Sequence, residues 1–490
     1  MNASRALFAA ALLAALVACK TVGPEYRLPE SAAINRPSAA AAFADADSAA
    51  VSIAPVPDDW WKLYDDAVLE RLIRDALASN TDLRVAAANL RRMASAYDAA
   101  RHAGGFDATV SADVQRTRIA GESLLMFEQL PVASMADAGI DVSYEFDLFG
   151  KLKRGAEAAR ADAQAAAAAH DLARITVVAA VARSYMEVCH AGHEIEIERG
   201  SLELQRRSAD VAQRLLDAGR GTSTDAARAR AQVARLEARL PPLEAEKKAA
   251  EYALAALLGQ TPGAAADDVD RCTEAPSLKQ PLPVGDGAAL LRRRPDVREA
   301  ERQLAGATAR IGVATAELYP DVRIGASAGV LGLLDDAGEA PTRHWGIGPL
   351  ITWTLPSRSA HARVRIAEAG ADAALARFDG VVLGALRETQ TALERYREDL
   401  QRRDALAHAV AEAHVAADNN RRLYQAGRAP YLESLDASRE SAGADASLAQ
   451  AEAQVSLDQV ALFLALGGGW QSAANAETAA VDASGAPRGR

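Results

Sequence analysis

Arg421–Glu440, RRLYQAGRAPYLESLDASRE, joins two long helical patterns at a single glycine, Gly427. A near-copy lies 208 positions earlier, where Arg214, Leu215, Ala218, Gly219 and Arg220 match Arg422, Leu423, Ala426, Gly427 and Arg428. The offset persists further on, since Leu254, Leu258 and Gly259 match Leu462, Leu466 and Gly467. Two helical hairpins in constant register predict a duplicated architecture. The second copy also carries Glu433 and Asp436, three apart and therefore on one helical face.

Outward from the first tip, Gly150–Leu216 reads as nearly continuous helix of about 67 residues, roughly 100 Å long. Gly192 and Gly200 are tolerated interruptions. A return helix runs to Leu258-Gly259, and Pro241-Pro242 must kink or break it. The second hairpin pairs Ser357–Gln425 with a return to Gly467-Gly468-Gly469. Helices this long exceed what a globular core requires.

Two segments of strict alternation precede each hairpin. Phe106, Ala108, Val110, Ala112 and Val114 alternate with polar residues, and so do Ile140, Val142, Tyr144, Phe146 and Leu148. In the second half Val322, Ile324, Ala326, Ala328 and Val330 form a third such run. Ile347, Ile351, Trp353 and Leu355 mark a fourth, with Pro349 tolerable at an edge or bulge. Period two predicts β-strands with one apolar face, at 106–116, 139–149, 321–333 and 345–355. A membrane barrel needs roughly 9–11 residues per crossing, which these runs supply. Four strands cannot close, and open edges are not viable in lipid. Two chains would give eight strands and a filled interior, whereas three would give twelve and leave a lumen. Tyr144, Phe146, Trp345 and Trp353 fit an interfacial girdle.

The chain of 490 residues carries a net charge of −11, which argues against a nucleic-acid partner. Its 3 cysteines are too few for a disulfide scaffold. Met1–Ala18 has Arg5 followed by an apolar run too short to span a bilayer, and reads as a signal peptide. It ends Leu16-Val17-Ala18-Cys19, similar to a bacterial lipobox, so Cys19 is the expected site of covalent lipid. Lys20, in place of an inner-membrane-retaining Asp, directs the expectation to the outer membrane. The expected organisation is therefore a signal peptide (1–18) and a lipidated linker (19–59). A first repeat (60–259), an irregular connector (260–287), a second repeat (288–467) and a tail (468–490) follow.

These features together resemble the TolC-like outer-membrane factor family, in its NodT-type lipoprotein branch. The residues that carry the resemblance begin with Cys19, Val22-Gly23-Pro24-Glu25-Tyr26, Trp60-Trp61, Asn80-Thr81-Asp82-Leu83 and Phe146-Asp147-Leu148-Phe149-Gly150. Arg293-Arg294-Pro295-Asp296-Val297, Leu318-Tyr319-Pro320 and Tyr424 through Asp436 complete them. The resemblance spans Cys19 to Gly467. It implies a mainly α protein with membrane β: a homotrimeric channel-tunnel in which a twelve-stranded β-barrel continues into a twelve-helix α-barrel. It implies a passive, non-enzymatic exit duct for drugs and small solutes in a tripartite efflux system. The partners would be a periplasmic membrane-fusion adaptor, an inner-membrane RND-type pump and outer-membrane lipid. No metal or other cofactor is implied.

The resemblance also assigns residues. Glu433 and Asp436 match acidic rings that close the periplasmic tip, and Tyr424 with Thr224 and Asp225 matches a constraining polar network. Leu215, Gly219 and Arg220 on one hairpin, and Leu423, Gly427 and Arg428 on the other, would dock the adaptor. The family's gate has an arginine two positions after the turn glycine, where this chain has Ala429; Arg428 and Arg220 lie one position away. Cys189 and Cys272 would share an oxidising periplasm, and spacing leaves their pairing open. Cys189-His190 and His193-Glu194 have metal-ligand residue types but fit neither HExxH nor a haem motif. Two other readings stand beside the duct: a conduit for secreted protein or peptide, and a pore-less structural coiled-coil lipoprotein.

Overall fold

The computed structural model describes residues 21–43, 50–118, 120, 128–263, 267–355 and 357–468. The expected signal peptide, Cys19, and the tail from 469 onward lie outside the described residues. Short 3-10 turns at Ala33–Asn35 and Pro37–Ala39 precede β1 (Val51–Ser52) and a further 3-10 turn, Trp60–Tyr64. Next come α1 (Ala67–Ser79), α2 (Thr81–His102), β2 (Phe106–Thr117), β3 (Ala133–Phe146) and α3 (Lys151–Asp217). They are followed by α4 (Ser223–Glu237), α5 (Leu240–Leu257), α6 (Asp267–Asp270), β4 (Leu282–Pro283), α7 (Gly287–Arg293) and α8 (Pro295–Ala316). The chain continues through β5 (Asp321–Leu333), β6 (Arg343–Thr352), α9 (Arg358–Gln425) and α10 (Tyr431–Ala465). It divides into two compact units, 1–29/90–166/300–378 and 30–89/167–299/379–490.

The first unit holds an antiparallel sheet of order β2-β3-β5-β6. Its register carries the alternation across all four strands. Val110 pairs with Ile140, Ile140 with Ala328, and Ala328 with Trp345. Paired residues share a face, so Phe106, Tyr144, Ile324 and Pro349 line up on the same apolar side. The opposite side takes Thr109, Asp141, Ser327 and Gly346, and an Arg323–Glu145 ion pair at 2.6 Å. A soluble sheet would bury its apolar face. Here Phe106 is 81% exposed, Val110 77%, Trp345 80% and Ile347 70%. Among the described residues, the edge strands β2 and β6 each pair on one side only.

Strand ends depart from the alternation for identifiable reasons. The alternating residues mark 139–149, whereas β3 runs Ala133–Phe146. It begins early because its whole length pairs with β2, down to Ala133 opposite Thr117. It stops because Asp147 turns to cap α3, accepting from the Lys153 and Leu152 amides at 2.8 and 3.1 Å. β6 lies at Arg343–Thr352 rather than 345–355, and Trp353 donates its indole N–H to the Leu318 carbonyl at 3.2 Å.

The second unit contains the main hydrophobic core. Trp60 stacks on Phe463 with ring centroids 4.5 Å apart, and both are buried. The Tyr64 hydroxyl donates to Gln459 Oε1 at 3.1 Å, and Gln459 Nε2 donates to the Tyr396 hydroxyl at 3.4 Å. The most apolar part of α3, around Val177–Cys189, is buried in this core. Helix ends are closed by side chains. Asn80 Oδ1 accepts from the Asp82 amide at 2.9 Å while its Nδ2 donates to the Leu257 carbonyl at 2.9 Å. Arg293 and Arg294 donate to the last carbonyls of α10, Leu466 at 2.8 Å and Ala465 at 2.9 Å. Cations at a helix C-terminus satisfy orphan acceptors and complement the helix dipole. The return of the first hairpin is interrupted between α4 and α5, where Pro241 and Pro242 begin the new helix.

Cys189 on α3 and Cys272 form a disulfide across 83 residues of sequence. The close approach depends on Gly192, where a Cβ would lie 2.2 Å from the Cys272 carbonyl oxygen. Trp60→Ala removes the largest fully buried side chain of the core and is expected to destabilise the unit by about 3–5 kcal/mol. Thermal unfolding followed by circular dichroism would show the loss as a lowered midpoint; an unchanged midpoint would remove Trp60–Phe463 from the account.

Candidate functional site

Both long helices end in the same backbone device. Arg220 N–H donates to the Leu215 carbonyl at 2.8 Å, and Arg428 N–H donates to the Leu423 carbonyl at 2.8 Å. These bonds close the last turn around a residue in left-handed conformation, Gly219 at φ 68° and Gly427 at φ 70°. A side chain at that φ is strained, which is the physical reason for glycine at both positions. Space is not the constraint, because an added Cβ at either glycine meets nothing within 4 Å. Arg220 and Arg428 are exposed beside the glycines, and Leu423 is 43% exposed.

The helices leaving the tips start differently. Thr222 caps α4: its hydroxyl accepts from the Asp225 amide at 3.1 Å and donates to the Asp225 carboxylate at 2.6 Å. The cap satisfies one of the orphan amides of the first turn. The hydroxyl that Asp225 engages is that of Thr222; Thr222 and Thr224 are both exposed. The second hairpin has no such hydroxyl; Pro430 occupies the cap position of α10.

The two hairpins meet at Tyr431. Its ring is buried with Ala212, Ala229 and Leu435, and it lies 5.4 Å from the Tyr424 ring. Its hydroxyl accepts from Ser208 Oγ at 3.4 Å and from Gln205 Nε2 at 3.5 Å, both on α3. Arg439 on α10 also reaches Gln232 on α4, donating through Nε at 3.1 Å. Tyr424 is partly buried. Burial first, then the neighbouring Tyr431 hydroxyl and Asp225 carboxylate, raise its phenol above the ordinary value. Tyr424 and Asp225 thus lie within electrostatic reach of each other. In the sequence, Tyr431 and Leu435 at i and i+4 form an apolar stripe at the start of α10, with nothing local to show what the stripe meets.

Glu433 and Asp436 occupy the first two turns of α10, both exposed, while Ser434 and Leu435 between them are buried. Asp436 has an Arg439 Nη1 at 3.4 Å on its own helix. An exposed pair of this kind contributes about 0–1 kcal/mol. The acids therefore sit on the face turned away from the Tyr431 cluster.

An amphipathic membrane-type sheet, two long helical hairpins and glycine tips define a class. Residues 72–260 and 288–468 match the family model described as outer membrane efflux protein, and the chain belongs to this family. It is an outer-membrane channel component of efflux. Nodulation protein T of Rhizobium leguminosarum bv. trifolii is 25% identical over 457 residues, covering 93% of this chain and 96% of the relative. Outer membrane protein OprJ of Pseudomonas aeruginosa is 29% identical over 473 residues, covering 94% and 95%. Among solved structures, the outer-membrane channel OprN superposes with a TM-score of 0.84 at 35% identity, covering 92% of this chain and 100% of that one.

Thr222→Ala should cost the first turn of α4 about 1 kcal/mol, speeding exchange at the Asp225 amide about fivefold. Hydrogen–deuterium exchange of the tip peptides checks this; unchanged protection would remove Thr222 as the cap.

Proposed function

We propose that three copies of this chain assemble into a passive duct through the outer membrane, gated at its helical tips. The observation that carries the reading is the four-stranded sheet with an exposed apolar face and, among the described residues, two unpaired edges. Each edge presents backbone donors and acceptors that hydrocarbon cannot satisfy. Pairing β2 of one chain with β6 of the next removes every edge. With three chains the result is a twelve-stranded barrel whose apolar side meets lipid and whose polar side lines water. The helical hairpins would form a matching tunnel of twelve helices. The described residues outside the sheet are dominated by such helices. Cys19 would carry the lipid that holds the chain to the membrane.

At the tip, threefold symmetry turns Glu433 and Asp436 into two stacked rings of carboxylates. Their exposure, and their position opposite the buried face of α10, supports this role. Such rings attract cations and repel anions. The Tyr431 cluster holds the two hairpins of one chain together, so opening would require parting Tyr431 from Gln205 and Ser208. Arg439 supplies the cation beside Asp436, on the helix that carries the acids rather than at Ala429. The exposed tips, with Leu423 and Arg428 around Gly427 and Leu215 and Arg220 around Gly219, would dock a helical adaptor. An inner-membrane pump of the RND type would drive solute into the duct.

Ion conductance of the purified protein in planar bilayers tests the duct and the gate together. The wild-type protein should give small cation-selective openings, and Glu433→Ala/Asp436→Ala should enlarge them at least about twofold as the charged constriction is removed. Equal conductance would discard these acids as the constriction. No conductance from folded oligomers of either form would favour a pore-less coiled-coil lipoprotein. Gly427→Val, which forces a β-branched residue into left-handed backbone, should abolish efflux in cells while leaving the oligomer in the membrane. Normal efflux by that variant would overturn the docking role.

A further inference from the structure

A second built feature lies in the first unit, around Thr21–Tyr26. This segment is clamped onto α3 and α8. Val22 N–H donates to the Phe149 carbonyl at 3.0 Å. The guanidinium of Arg154, whose side chain is 7% exposed, holds the Val22 carbonyl through Nε at 3.2 Å and Glu157 through Nη1 at 2.6 Å. Gly23 lies so close to Gly312 that an added Cβ would stand 2.4 Å from its Cα. The Tyr26 hydroxyl donates to Glu301 at 2.6 Å, and Arg302 lies over the Tyr26 ring at 5.7 Å.

Clamping the segment leaves a cavity of about 710 Å³ between it and the two helices. Four cations (Lys153, Arg154, Arg160, Arg302) and two carboxylates (Glu25, Glu157) line it. Arg154 is engaged with Glu157, and Arg302 pairs with Glu301. Lys153 and Arg160 are different. They lie seven apart, two turns along one stripe of α3, and both are exposed. Among the described residues, neither side chain has an ion-pair partner.

We propose that this pocket binds the phosphate of an anionic phospholipid headgroup. The lipid would come from the leaflet that holds the chain's own acyl anchor, so the proposal rests on the reading of Cys19 as lipidated. Thr21 in the pocket wall is two residues past Cys19 in sequence, a reach of at most about 7 Å. The wall therefore stands at headgroup height. Lys153 and Arg160 supply charge-assisted donors to phosphate oxygens, and Tyr26 supplies the amphipathic ring that interfaces favour. The cavity falls in the usual size range for a small-ligand site.

Native mass spectrometry of the full mature protein in detergent, titrated with dioleoylphosphatidylglycerol, tests the proposal. Wild-type protein should retain one phosphatidylglycerol per chain. Lys153→Gln/Arg160→Gln should weaken that binding by about tenfold or more. Equal retention by wild type and variant overturns the proposal. So does displacement of the lipid by inorganic phosphate at equal concentration, which would make a soluble anion the ligand. The covalent mass of the mature N-terminus is read in the same spectra. A missing acyl mass would remove the anchor reading while the phosphatidylglycerol adducts still report on the pocket.

Discussion

Backbone N–H and C=O groups at an open sheet edge have nowhere to go in hydrocarbon, and each costs several kcal/mol if left bare. Among the described residues β2 and β6 each present such an edge, and no second layer covers the apolar face of the sheet. The apolar residues Phe106, Val110, Trp345 and Ile347 face outward and are exposed, rather than packed under a second layer. Lipid can cover that face but cannot satisfy the edges. The rest of the proposed architecture follows from this mismatch. In that proposal other copies of the chain supply the missing neighbours, and the copy number sets the bore.

The same arithmetic explains the helical part. A helix of 67 residues such as α3 satisfies its own backbone but needs somewhere to place its apolar stripe. Within one chain, part of that stripe is buried in the core around Trp60 and Phe463, and part at the tips around Tyr431. The tips are the thinnest of these contacts: one buried tyrosine, two alanines and a leucine, joined by long hydrogen bonds to Ser208 and Gln205. The gate proposed for this tip would have to open, and the contacts that would close it are few. Local stability of this kind is where moving elements are drawn from.

Much of this arrangement is legible in the sequence because it rests on short-range rules. Glycine before a helix reversal marks Gly219 and Gly427, and both adopt left-handed backbone. Alternation marks 321–333, and β5 occupies Asp321–Leu333. Paired prolines mark the break between α4 and α5. What escapes reading depends on distant partners. The start of β3 is decided by β2 across the hairpin, through residues whose own pattern is weak. The choice of Thr222 over Thr224 as the partner of Asp225 is a cap geometry, decided by where α4 begins. Tyr431 matters because Gln205, Ser208 and Ala212 come to meet it from more than two hundred residues away, which no local window contains. Likewise Gly192 reads as a tolerated interruption, while its role is to admit the Cys272 backbone.

Hydrogen–deuterium exchange at the backbone amides of β2 and β6, in protein purified intact from the outer membrane, tests the central claim most directly. Closure by neighbouring copies predicts that these edge amides are protected as strongly as those of β3 and β5, and that protection is lost when the assembly is dissociated. Rapid exchange at β2 and β6 in folded, membrane-derived protein, with β3 and β5 protected, would contradict it.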